Sequence, residues 1–96
     1  MFEWDTGKAA VNRAKHGVSF EEAGTVFGDP DALDGPDLRH SGKESRFLRL
    51  GRAVTGRVLV VAYTLRRRDD GESVRIISAR RASRKEQAAY AAASRH

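Results

Sequence analysis

Ninety-six residues are enough for one small domain with a modest core and leave no room for a second. The chain is basic, with 18 Lys and Arg against 13 Asp and Glu for a net charge of +5, and it has no cysteine, which excludes disulfides and thiolate metal sites. It contains neither an apolar run approaching the roughly 20 residues of a membrane span nor a secretory apolar segment near Met1, so the expectation is a soluble cytoplasmic protein.

A short strand at residues 2–4 leads into a helix capped by Asp5 or Thr6 and running to about His16. Gly17 is placed to end that helix in the left-handed conformation, which a side chain disfavours, with Val18 as the apolar residue closing the end. Ser19 and Glu22 form a Ser-x-x-Glu capping box for a second helix from Ser19 to about Phe27. Its Phe20, Ala23, Val26 and Phe27 make a core-facing stripe, and Asp29-Pro30 stops it. Residues 29–43 are acidic and turn-rich, with one short strand near 32–34. Strands are expected at 46–50, at 58–65 as a nearly continuous apolar run, and at 74–79, rich in branched residues. Residues 51–56 and Asp69-Asp70-Gly71 supply the turns, the latter a hairpin signal. A last helix begins at Ser83 with a second capping box to Glu86. The predicted class is α+β: two N-terminal helices packed on a small antiparallel sheet, plus a C-terminal helix.

Charge is split along the chain. Residues 1–44 hold five basic and nine acidic side chains, a net −4, whereas residues 45–96 hold thirteen basic, twelve of them Arg, and four acidic, a net +9. Guanidinium groups present two donors to a phosphate and stay charged at any relevant pH. A polyanionic partner is one reading of this half; a solvated surface is the other.

If the polyanion is RNA, one chemistry to ask of these residues is cleavage without a metal, in which the 2′-hydroxyl attacks its neighbouring phosphate. It needs a base at that hydroxyl, cations around the transition state and an acid for the leaving oxygen. No carboxylate cluster suggests a two-metal site. Lys8, Asn12, Lys15 and His16 fall on one helix face, a stripe that suits either a phosphate contact or a helix end, where Lys and His are favoured by the macrodipole. Unbroken alternation places Arg66 with Val60, Ala62 and Thr64, and Arg80 with Val74, Ile76 and Ser78, at opposite ends of the hairpin, with Arg75 nearer Arg66. His40 stands in the loop before Arg46 as a second imidazole, and Glu44 and Arg46 read as a local pair.

The chain also resembles the BrnT toxins of bacterial type II toxin–antitoxin systems. The resemblance is carried by Trp4-Asp5, Lys8-Ala9, Asn12, residues 15–23, Val26-Phe27, Asp29-Pro30, His40-Ser41-x-x-Glu44-x-Arg46, Gly51, the strand at 58–64 with Arg66, residues 75–80, Glu86 and Tyr90. It implies a RelE-like fold and a metal-independent endoribonuclease without a cofactor. It also implies a cognate BrnA-like antitoxin whose own DNA-binding portion brings the pair to promoter DNA. By that analogy Arg80 neutralises the transition state, Tyr90 serves as acid or stacking residue, and His16 and Arg66 complete the catalytic set. Lys8, Lys15, Arg46, Arg75 and Arg81 are the candidate RNA contacts. A non-catalytic nucleic-acid binder, serving as a corepressor subunit, fits the charge equally well. A purely structural partner would make the basic half ornamental.

Overall fold

The computed structural model describes residues 1–39, 42 and 44–94. In chain order they form β1 (Phe2–Glu3), α1 (Thr6–His16), α2 (Phe20–Gly24) continuing as a 3-10 turn (Thr25–Gly28), β2 (Leu33–Pro36), β3 (Phe47–Arg52), β4 (Val58–Arg68), β5 (Gly71–Arg81) and α3 (Arg84–Ala93). The five strands make one sheet in the order β1-β5-β4-β3-β2. It is not wholly antiparallel: β1 runs parallel to β5, pairing Phe2 with Val74 and Glu3 with Arg75. No hairpin links these two strands, so nothing in the connection imposes an antiparallel pairing.

The helix ends follow their local chemistry. The Asp5 carboxylate accepts from Lys8 N–H at 2.9 Å and starts α1. Gly17, at φ 69°, ends it, its N–H donating to the Arg13 carbonyl. At α2 the expected box is only half made. Ser19 Oγ accepts from Glu22 N–H at 3.0 Å, but the Glu22 carboxylate is taken up by Arg57 and Thr55 from the β3–β4 turn. The helix is also shorter than expected, because Thr25 Oγ donates to the Glu22 carbonyl at 2.6 Å and the chain tightens into the 3-10 turn.

Phe20, Ala23 and Val26 lie against Leu59, Val61, Ile76 and Ala79 on one face of the sheet, with Val18 and Ala53 completing a core sealed from solvent. Trp4 meets Phe20 edge-on at 6.0 Å between centroids. The β4–β5 pairing carries a β-bulge: Ala62 stands opposite Ser78 and Tyr63 opposite Ile76, leaving Ile77 extra. The alternation therefore switches within β5. Ile76 and Ala79, three apart, both face the core, while Ser78 and Arg80 share the other face with Ala62 and Val60. Arg80 thus does not lie on the face of Val74 and Ile76, where unbroken alternation placed it. Arg66 opposite Ser73 and Arg80 opposite Val60 stand at the two ends of the hairpin.

Candidate nucleic-acid interface

Asn12 joins α1 to the sheet. Its Nδ2 donates to the carbonyls of Ala79 (2.9 Å) and Val18 (3.0 Å), and its Oδ1 accepts from Ala79 N–H (3.0 Å). The side chain is only 6% exposed, so Asn12 is a structural clamp and not part of an exposed polar stripe. That clamp carries the last turn of α1, with His16, to the face of the sheet opposite the core. There His16 and Arg80 line one hollow of about 210 Å³, floored by Val60 and Ala62 and completed by Asp37 and Arg39 from the segment after β2.

Arg80 is oriented from α3. Its Nη1 and Nη2 donate to the two carboxylate oxygens of Glu86 at 2.7 and 2.9 Å, a bidentate pairing. Glu86 also accepts from Ser83 N–H at 2.8 Å, while Ser83 Oγ accepts from Glu86 N–H, so this capping box is complete. The Arg80 guanidinium, aided by that backbone donor, holds the Glu86 carboxyl down at about 2, and the carboxylate in turn raises Arg80.

A second hollow of about 150 Å³ gathers Lys8, Arg46, Arg66 and Arg75 with Asp5 and Glu44. Arg75 Nη1 donates to Glu3 at 3.2 Å, and Arg66 lies 3.9 Å from Glu3 and 3.4 Å from Glu44. Glu44, expected to pair locally with Arg46, thus reaches Arg66. A third hollow, between α1 and β5, takes Lys8, Lys15 and His16.

Tyr90 and Arg81 stand elsewhere, on a hollow beside the β3–β4 turn. Tyr90 is 4% exposed and its hydroxyl donates to Asp29 at 2.6 Å, with the Arg52 guanidinium 5.5 Å from the ring centre. Burial, then the Asp29 carboxylate, raises the phenol. The ring staples α3 to the end of the 3-10 turn, which does not fit a shared centre with His16 and Arg80. His40 and Ser41 lie outside the described residues. Sequence reasoning missed Asp37, Arg39 and Ser78, which sit in the hollow with His16; the acidic, turn-rich segment gave no signal that Asp37 is buried. Among the described residues no group of three His, Asp or Glu is placed to hold a metal ion, and no helix is long and apolar enough to cross a membrane.

The profile of a family described as ribonuclease toxin, BrnT, of type II toxin–antitoxin systems matches residues 4–86. The chain belongs to the BrnT toxin family. It is accordingly a ribonuclease toxin of a type II system, a class that implies an RNA substrate and an antitoxin partner. The matched span includes His16, Arg66, Arg75 and Arg80 and stops short of Tyr90. Among solved structures, the crystal structure of the Brucella abortus ribonuclease toxin BrnT shares the fold, with a TM-score of 0.62 at 24% identity over 88% of this chain and 99% of that one. No curated protein matches the chain.

Proposed function

We propose that this BrnT-family chain is a RelE-like, metal-independent endoribonuclease of the bacterial cytoplasm that cuts RNA and thereby inhibits translation and growth. The observation that carries this reading is the meeting of His16 and Arg80, from separate elements, in one hollow on the side of the sheet opposite the core. In this scheme the His16 imidazole takes the proton of the 2′-hydroxyl as its oxygen attacks the phosphorus. Arg80, with Arg39 beside it, meets the charge that builds on the phosphoryl oxygens. As the bond to the 5′-oxygen breaks, that oxygen takes up a proton, from the His16 imidazolium or from water, and departs as a 5′-hydroxyl, leaving a 2′,3′-cyclic phosphate. Lys8, Lys15, Arg46, Arg66 and Arg75 extend the cationic surface and hold the flanking phosphates. A cognate BrnA-like antitoxin, itself DNA-binding, silences the toxin by covering these cations and takes the pair to promoter DNA.

The test is cleavage of RNA in excess EDTA, with and without ribosomes, with analysis of the product ends. Cyclic phosphate ends that vanish in His16→Ala and Arg80→Ala support the scheme; cleavage that survives both overturns it. One observation favours a second reading, a non-catalytic binder or corepressor subunit: both terminal nitrogens of Arg80 are already engaged by Glu86. Binding of RNA by the folded chain without cleavage under either condition would select that reading.

A further inference from the structure

The hollow between α1 and β5, about 590 Å³ in volume, borders the phosphate chemistry through Lys8, Lys15 and His16, but its apolar part has no role in that chemistry. Val11 and Ile77 give it apolar walls, and the cations Lys8 and Lys15 stand around them with the His16 imidazole and the Asp5 carboxylate. Val11 is 66% exposed, an apolar side chain held out to solvent on the cationic face of a helix. Ile77 is the extra residue of the bulge, so its presence beside α1 is a product of the switch in alternation. Lys8 and Lys15 are seven residues apart, about 10 Å along a helix axis, with Val11 between them.

This hollow adjoins the other two. It shares His16 and Ser78 with the hollow that holds Arg80, and Asp5, Lys8 and Ile77 with the one that holds Arg46, Arg66 and Arg75. A polyanion contacting both cationic hollows passes along it. Apolar walls between cations suit a ligand with a planar apolar body and an anion at each side, which is the chemistry of one nucleotide within a strand. We infer that the α1–β5 hollow is a nucleobase pocket, which receives the base next to the scissile phosphate and sets which RNA positions are cut. This rests on the ribonuclease reading above and assigns its specificity element.

The test uses the full chain and a cleavage-resistant 2′-fluoro RNA oligomer, with a second oligomer of the same backbone lacking bases. Affinities are measured for wild type and Val11→Glu across a salt series. Wild type should prefer the base-bearing oligomer about tenfold, the scale of burying one apolar ring face. Val11→Glu should abolish most of that preference and also lower the salt slope by about one, because the new carboxylate stands one turn from Lys8 and Lys15 and competes with phosphate for them. Photocrosslinking of wild type to 5-iodouracil RNA provides a measurement independent of the variant's folding, and should label the peptides holding Val11 or Ile77. Crosslinks confined to other elements, with RNA still bound and cleaved, would overturn the pocket and leave the ribonuclease reading standing. Loss of antitoxin binding in Val11→Glu with base preference intact would also overturn it, assigning the hollow to the protein partner. Failure of wild type to bind or cleave any RNA would remove both readings together.

Discussion

Two segments of this chain start a helix with the same Ser-x-x-Glu pattern and both glutamates hold an arginine, yet the two arginines have different fates. At α2, Glu22 abandons the cap for Arg57, whose Nη2 also donates to the Gly17 carbonyl at 3.0 Å. The Glu22 side chain is only 11% exposed, and the cluster ties the junction between α1 and α2 to the β3–β4 turn. At α3, Glu86 completes the cap and still binds Arg80, whose side chain is 45% exposed and faces the hollow with His16. One motif therefore yields a clasp in one place and an oriented, solvent-facing cation in the other. What decides is the arginine's position: Arg57 is in a turn over the helix junction, and Arg80 is near the end of a strand on the face opposite the core.

The sharpest way to break this comparison is to remove each arginine. Arg80→Ala should lower single-turnover RNA cleavage by about 100-fold, the scale of losing one transition-state donor, while urea unfolding shifts by less than about 1 kcal/mol because the pair is half exposed. Arg57→Ala should do the reverse, costing about 2 kcal/mol in unfolding through lost charge-assisted hydrogen bonds and leaving cleavage per folded molecule unchanged. Equal effects of the two variants on cleavage would erase the distinction.

The glutamates sharpen it through pH. Glu86 titrates at about 2 in the folded chain against an ordinary 4.5. Its contribution to stability is therefore complete above pH 4.5 and is lost as pH falls from 4.5 towards 2. Glu86→Gln keeps a usable cap residue but removes this titration, so the gap in stability between wild type and variant should close across that window in unfolding titrations. A constant gap would mean that the Arg80 pairing does not stabilise the fold. The smallest effect is expected from Tyr90→Phe: about 1 kcal/mol from the lost bond to Asp29, with cleavage intact. A large loss of cleavage would return Tyr90 to the site.

Features governed by neighbouring residues were legible in the sequence. Asp5, Gly17 and Ser83 mark helix ends by contacts within a few residues, and the apolar run after residue 57 reads as a central strand. Features governed by distant partners were not. Nothing near Ile77 announces a bulge, yet the bulge decides which face carries Arg80. Glu22 leaves its cap for a residue 35 positions away, and β1 finds its parallel partner through the fold alone. In the site, the residue types were readable from charge, but the grouping was not. His16 and Arg80 share a hollow with Asp37 and Arg39 because Asn12 fixes α1 against β5.

That Asn12 contact has a further consequence. β1 borders β5 only at Val74 and Arg75, so the rest of this long strand would offer a bare ladder edge. The Asn12 carboxamide engages both the N–H and the carbonyl of Ala79 as a neighbouring peptide would. Exposed edges recruit strands from other chains and seed aggregation. By occupying the ladder at Ala79 with a side chain, the toxin hinders edge-to-edge self-association there without adding a strand.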